Sequence, residues 1–477
     1  MHQALYSVAQ VQAIEHAAMA ALPPGALMQR AGAAAAEWAL TLIQEVRPVL
    51  VLAGPGNNGG DALEVAANLR DAGVDVSVFY LAGRTLSAGT AAALERCRMD
   101  GVTFVDAILD MPWALVVDGL FGIGLTRAVD VPVPAFTCPV LALDVPSGLD
   151  ADTGVAHDGA VRATHTITFI GDKPGLHTGD GRDFSGIVRV ASLGIDAALL
   201  PAPDALLVTP AAFGMHLAKR RANSHKGQFG DVAIVGGADG MAGAAILAAR
   251  AALFAGAGRV FVAALDARLS LDPVHPEIMF RAAAGFQMEQ RTLVVGPGMG
   301  DGGRNLLARA IAADAPLVLD ADALNLLAAE PGLQEAVRTR SQMAILTPHP
   351  LEGARLLGVT AKVVQADRLA AARELAARCG AVVVLKGSGT VLAHPDGQVA
   401  INTTGNAGLA TGGSGDVLCG LTGTLLAQGW DAWPAAQGAV WMHGAAADRL
   451  VEQGIGPIGL SAGELPGAIR AVYNSLV

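Results

Sequence analysis

The chain has 477 residues, enough for two or three domains at the usual ~150 residues each. It is 52% apolar, only 16% charged, and carries a formal net charge of −11, which argues against nucleic acid or an anionic membrane as partner. An anionic small molecule is still compatible, because a nest of backbone N–H groups holds phosphate without a basic patch. Aromatic residues are scarce and 59 glycines accompany abundant alanine, which suits helices packed tightly on parallel sheets. Cys97, Cys138, Cys379 and Cys419 are far apart and form no CxxC pair, so they read as small core residues in a reducing compartment. The opening MHQALYSVAQ has no basic export-type start, and charges interrupt every long apolar run. The expectation is a soluble cytoplasmic protein. Its low charge and alanine content permit a homo-oligomer.

In chain order, residues 8–22 and 25–43 read as two helices separated by Pro23-Pro24-Gly25. A buried strand at 48–53 then meets a glycine turn, and a helix is expected from Asp61. Gly54, Gly56 and Gly59 fit the GxGxxG spacing that brings backbone close to a dinucleotide. The following strand, 74–81, ends without the acidic residue that grips a ribose, and Arg84 stands nearby, so a plain NAD-dependent dehydrogenase is not supported. Asp118 ends a strand at 114–117, and Gly122 and Gly124 follow it. Asp144 ends a strand at 140–143, with Ser147 and Gly148 after it. Ligands of open parallel sheets bind beyond such strand ends, which makes Asn58, Asp118, Asp144 and Ser147 candidates together. Lys173, in the turn Gly171-Asp172-Lys173-Pro174-Gly175, reads as an exposed side chain in preference to an anion contact.

Periodicity weakens from Asp196 to Asn223, and the boundary between two domains, 1–205 and 206–477, is placed near Ala205, before a short helix at 210–219. A second α/β cycle opens with a strand at 231–235, four glycines and a helix at 244–255. Strands at 259–263, 292–295, 317–319, 343–346 and 381–385 alternate with helices, which implies a mostly parallel sheet covered on both faces. Their ends carry GPGMG (296–300), DADALN (320–325), TPHPLE (347–352) and KGSGT (386–390). His349 between two prolines suits a ligand contact. Asp320 and Asp322 suit either a metal or a helix start. No GxxxxGK[ST] is present, which excludes a P-loop kinase.

The stretch NTTGNAGLATGGSGDVLCG, Asn402 to Gly420, organises this half. Gly412, Gly413 and Gly415 let backbone N–H groups turn inward on an anion, and a helix expected over 417–426 adds its positive end. Asp416 sits at that terminus, where a carboxylate serves as a base toward a hydroxyl, carries a metal, or simply caps the helix.

These motifs resemble two known families. Gly413-Ser414-Gly415-Asp416 is similar to the GxGD of the ribokinase-like superfamily. With HKGQFGDVAIVGG (225–237), PEIM (276–279), GPGMG, DADALN, TPHPLEGARLL and KGSGT it resembles the ADP/ATP-dependent NAD(P)H-hydrate dehydratases. ALMQRAG (26–32), GPGNNGGDALEVA, VVDGLFGIGL and LDVPSGLDADTG resemble NAD(P)H-hydrate epimerases. The match spans nearly the whole chain and implies a bifunctional repair enzyme, a Rossmann-like three-layer sandwich followed by a ribokinase-like one.

The resemblance implies epimerisation of R and S hydrates of NADH or NADPH in the first half. The second half would dehydrate the S form with a nucleotide, ADP for the fused bacterial type, and Mg²⁺. It carries over substrate contacts onto Asn57, Asn58, Gly59, Gly60, Asp61, Gly122, Ile123, Gly124, Leu125, Thr126, Arg127, Ala128 and Asp144, the last as acid/base. Asn58, Asp118 and Ser147 would hold potassium, hard oxygen donors suiting an alkali cation. In the second half Ala244, Gly298, His349 and Asp416 carry over as substrate contacts, with Asp416 the catalytic base. Lys386, Gly387, Ser388, Gly389, Thr390 and Gly415 carry over to the nucleotide. Ser388 and Ser414 stand where small residues vary in the family. An alternative is a ribokinase-like kinase of a vitamin or sugar alcohol with an accessory Rossmann-like domain, which would release a stable phosphate ester. A non-catalytic nucleotide-sensing or RNA-associated scaffold is disfavoured by the acidic charge and the loop aspartates.

Overall fold

The computed structural model describes residues 4–82, 86–124 and 128–477. The chain divides into two compact units, one running to Ala205 and the other Leu206–Val477.

In the first unit seven parallel strands lie in the order Thr103–Val105, Val76–Tyr80, Val49–Ala53, Leu115–Gly119, Val140–Leu143, His165–Phe169, Ile187–Ala191. The central strands are apolar end to end because both faces are covered. Val49, Val51 and Ala53 face a core shared with the helices Val8–Met19, Ala26–Leu42 and Asn57–Asp71. Leu50 and Leu52, one residue out of phase, join a second core with Trp113, Leu120 and Val161. Chain order reverses between Val49–Ala53 and Leu115–Gly119, which opens a crevice beyond their carboxyl ends.

The helix after the first glycine turn begins at Asn57, not at Asp61 as expected. Gly56 is extended and Gly59 lies directly on the Gly54 carbonyl, where a Cβ would collide, so the chain passes from strand into helix almost at once. Asn57 and Asn58 therefore project from the first helical turn at the crevice.

The second unit runs Ala205–Leu207, Val399–Asn402, Thr390–Ala393, Val382–Leu385, Ile345–Leu346, Leu317–Leu319, Thr292–Val295, Asp231–Gly236, Arg259–Ala264, Met279–Ala282 across its sheet. Pairing is parallel except for the hairpin Thr390–Ala393/Val399–Asn402, which pairs antiparallel with itself and with Val382–Leu385. The helices Ala242–Phe254, Ser414–Ala427, Ala432–Glu452 and Leu465–Ser475 contribute to one apolar core on this sheet. The order reverses between Asp231–Gly236 and Thr292–Val295. Beyond them Gly237 N donates to Pro297 O (3.0 Å) and Ala238 N to Gly298 O (2.7 Å), joining the two loops.

Two expectations are corrected here. Residues 210–219 form two 3₁₀ turns, Pro210–Ala212 and Gly214–His216, because Phe213 between them is wholly buried and stacks on Trp430, bending the chain around it. The helix expected at 417–426 begins at Ser414, with Gly413 in the left-handed region (φ 92°) as its cap, so Asp416 belongs to the first helical turn and is not the cap. Among the described residues no helix is long and apolar enough to cross a membrane.

Candidate active sites

At the first crevice Asp118 and Ser147 are fully buried and satisfy one another. Ser147 Oγ donates to Asp118 Oδ1 (2.6 Å), Ser147 N donates to Oδ2 (2.8 Å), and Ser147 Oγ accepts from Phe121 N (2.9 Å). Burial raises the Asp118 pKa, opposed by those hydrogen bonds. Asn58 is the opposite case: it is buried, and neither its amide nitrogen nor its amide oxygen has a partner. An orphaned buried amide costs about 1–3 kcal/mol, so the site is shaped for a group that supplies the missing contacts.

Asp144 has φ 65°, an uncommon conformation for a residue with a side chain. Its Oδ1 accepts from Lys173 Nζ (2.5 Å), and Lys173 also donates to Thr168 Oγ1 (2.7 Å) and Phe169 O (2.9 Å). Lys173 has no exposed surface, which overturns its reading as an exposed turn residue. A buried ammonium is tolerated here because a carboxylate and two further oxygens take its three protons.

A cavity of about 830 Å³ is lined among others by Asn57, Asn58, Asp61, Gly122 and Asp144, while Asp118, Ser147 and Lys173 are not part of its lining. That volume lies within the ~300–1,000 Å³ of small-molecule sites. Ile123 and Gly124 also line it. Gly59 and Gly60 are buried in the helix behind it, and Ala128 is exposed and outside its lining. Arg84, Leu125, Thr126 and Arg127 lie outside the described residues. Glu15, from the first helix, faces the same cavity and was not singled out from sequence. Burial raises the pKa of Asp61 well above the ordinary carboxylate value, and Asp144, Glu15 and Glu64 raise it further. Glu15 is raised by burial and then by Asp144, while Lys173 opposes.

In the second unit the carboxyl ends of the strands bring together Asp320, Glu352, Lys386, Gly415 and Asp416. Lys386 Nζ donates to Asp320 Oδ1 (2.7 Å) and lies 3.9 Å from Glu352 Oε2. A Cβ on Gly415 would sit 3.2 Å from Lys386 Nζ and 3.7 Å from Asp320 Oδ2, which places the nest against this pair. Burial works against the Lys386 charge, and Asp320 and Glu352 outweigh it, so its pKa is raised. Burial pushes Glu352 up to about 7, with Lys386 opposing and Asp320 reinforcing. Asp416 is raised to about 6 by burial and then by Asp320, against the pull of Lys386.

Asp322 starts the helix Asp322–Ala329, and its Oδ2 accepts from Gly300 N (2.8 Å). Gly298 and Ala244 are neighbours, a Cβ on the glycine falling 3.2 Å from Ala244 Cβ. His349 caps the helix Pro350–Leu357: its Nδ1 accepts from Leu351 N (3.1 Å) and Glu352 N (3.2 Å), and about half of its side chain stays exposed. Burial and then Lys386 lower its pKa. Gly387 and Ser388 are exposed, Gly389 is buried, and Thr390 Oγ1 donates to Gly387 O (3.1 Å). Sequence reading missed Arg368, which is buried behind this loop and donates to Leu385 O (3.1 Å) and Lys386 O (3.3 Å). Among the described residues no three His, Cys, Asp or Glu side chains converge to hold a metal by themselves.

Comparison with known proteins matches both halves. The NAD(P)H-hydrate dehydratase family covers residues 232–465, and the YjeF-related protein N-terminus family covers residues 24–175. A bifunctional NAD(P)H-hydrate repair enzyme of Coxiella burnetii is 37% identical over 98% of this chain and 99% of its own length. The chain belongs to the bifunctional NAD(P)H-hydrate repair enzymes. The Escherichia coli member is 37% identical over 94% of this chain and 89% of its own length. An ADP-dependent (S)-NAD(P)H-hydrate dehydratase of Neisseria meningitidis is 46% identical over 55% of this chain and 91% of its own. Among solved structures, the ADP/ATP-dependent NAD(P)H-hydrate dehydratase of Bacillus subtilis, co-crystallised with ATP and Mg²⁺, aligns with a TM-score of 0.50. It is 32% identical and covers 57% of this chain and 98% of its own. A ribokinase-like protein of Enterococcus faecalis aligns at 0.50 with 26% identity, covering 57% of this chain and 96% of its own. Membership across both halves favours the repair enzyme over a small-molecule kinase with an accessory domain.

Proposed function

We propose that the first unit interconverts the R and S hydrates of NADH and NADPH, and that the second dehydrates the S form using ADP. The carrying observation is Asp416 in the first turn of Ser414–Ala427, its pKa raised to about 6, beside a glycine nest set against Lys386. Asp416 takes the proton of the C6 hydroxyl, whose oxygen attacks the terminal phosphorus of ADP, and AMP departs. The nest and the helix end stabilise charge on the transferred phosphoryl group. Phosphate then leaves C6 under the push of the ring nitrogen, the C5 proton is lost, and the products are NAD(P)H, AMP and phosphate. Hydroxide leaves poorly and phosphate well, so the nucleotide activates the leaving group.

Mg²⁺ would be held mostly by the nucleotide's phosphates and water, with Asp320 or Asp322 at this strand end as its carboxylate, and would share the charge of the transferred phosphoryl group. In the first unit the orphaned Asn58 amide supports a potassium ion, for which Asp118 and Ser147, at the ends of two neighbouring strands, would be the further oxygen donors. It would supply fixed positive charge at the crevice. Asp144 is the acid/base that moves the hydroxyl proton as the hemiaminal C6 opens and recloses. The test is recovery of reduced-nicotinamide absorbance from an R/S hydrate mixture with ADP and Mg²⁺. Complete recovery is expected. Recovery of the S half alone overturns the epimerase role, and full recovery without nucleotide overturns the dehydratase mechanism.

A further inference from the structure

The turn Gly171-Asp172-Lys173-Pro174-Gly175 is the polar motif of the first unit that the reaction above leaves unused. Its lysine is built into the sheet end. Lys173 N donates to Asp172 Oδ1 (2.9 Å), and His177 Nε2 lies 2.9 Å from both Asp172 oxygens. Gly175 N donates to Ala151 O (2.7 Å), and a Cβ on Gly175 would strike the backbone of Asp150 and Ala151, so the turn is pressed flat against that loop. The ammonium then reaches Asp144, Thr168 and Phe169 with all three protons engaged. Lys173 takes only one oxygen of Asp144. The other, Oδ2, is turned toward Gly122, 3.5 Å from where a Cβ would stand, and both residues line the cavity.

We propose that Lys173 is a positioning residue for epimerisation, fixing Asp144 by Oδ1 so that Oδ2 is aimed at the hydroxyl of the hydrated ring. This rests on the epimerase reading of the first unit. An ammonium that merely offset a buried charge could sit anywhere near the carboxylate. Here the tether is directional, and Asp144 is held in a left-handed backbone conformation on the other side. Misplacing a reacting group by about 1 Å costs about 100-fold in rate, whereas substrate contacts elsewhere in the cavity are untouched.

The test uses the full-length chain without nucleotide, following conversion of R-enriched hydrated NADH to the S form by chromatography. Lys173→Met is expected to lower kcat by about 100-fold with KM little changed. Adding Lys173→Met to Asp144→Asn should cause no further loss, because the lysine acts through that carboxylate. Dehydration of the S hydrate by the same preparation checks the second unit, and circular dichroism checks the first. Where Lys173→Met does not fold, Thr168→Val, which removes one anchor of the ammonium, should still lower kcat and spare KM. A wild-type kcat in the folded lysine variant, a rise in KM alone, or losses that multiply in the double variant would overturn the proposal. So would an unchanged kcat in Thr168→Val. Failure of the wild-type chain to interconvert the epimers would instead remove the epimerase reading itself.

Discussion

Replacing Asp416 by asparagine keeps the side chain's size and removes its charge. The folded chain holds the Asp416 proton up to about pH 6, whereas an ordinary carboxylate releases it at 3.8. At 1.36 kcal/mol per pH unit that gap corresponds to about 3 kcal/mol, an upper bound because the carboxylate keeps some contact with solvent. The sign follows from proton binding: between pH 3.8 and about 6 the folded state holds more protons than the unfolded chain, so stability falls as pH rises through that window. Asp416→Asn escapes this loss. The variant should melt up to about 5 °C above the wild type at pH 7.5, by less at pH 5, and should approach it near pH 4. Its dehydratase kcat should fall by roughly 10²–10⁴-fold, the usual worth of a general base. Epimerisation should be unchanged. Wild-type kcat/KM should rise with pH through about 6 as the base ionises. Thermal unfolding of both proteins across this pH range, with S-hydrate turnover on the same samples, decides the matter. Glu352, which titrates near 7, is common to both proteins, so the difference between them isolates Asp416. A variant less stable than the wild type at pH 7.5, a pH-independent gap, or retained turnover would refute the reasoning.

Gly415→Ala places a methyl group 3.2 Å from Lys386 Nζ in a residue that is already helical. Melting should hold or rise by the equivalent of about 1 kcal/mol, while the KM for ADP rises; an unchanged KM would separate the nest from the nucleotide. Asn58→Ala removes the orphaned amide. Potassium should raise the melting temperature of the wild type and not of this variant, and equal shifts in both would place the ion elsewhere.

Much of the chemistry was legible because it stands at strand ends, where apolar runs such as Val49–Ala53 stop and glycine or aspartate begins. Asp118, Asp144, Asp320 and Lys386 were found that way. Lys173 was not, since a lysine in a Gly-Pro turn reads as solvated until its partner, 29 residues upstream in Asp144, is brought beside it. The hairpin Thr390–Ala393/Val399–Asn402 was also missed, although Asp396-Gly397 between two apolar runs is a turn signal. Its two strands are only four residues each, too short to stand out in a chain whose strands otherwise alternate with helices. The early start of the helix at Asn57 depended on Gly59 resting against Gly54, a contact that spacing suggests and only the folded backbone fixes.

The two candidate bases differ in what their neighbouring lysine does. Lys173 binds Asp144 directly, which fixes the direction of its carboxylate. That suits a proton moved back and forth as a hemiaminal opens and recloses, where the same oxygen must serve both faces of the ring. Lys386 is instead spent on Asp320, and Asp416 is left with burial and the Asp320 charge, which together lift its pKa to about 6. A carboxylate so raised is a stronger base toward a weakly acidic hydroxyl and is still mostly ionised near neutral pH. The same reasoning accounts for Lys386 standing against Gly415: its charge, already shared with a carboxylate, stays close to where phosphoryl oxygens would enter the nest without cancelling the base beside it.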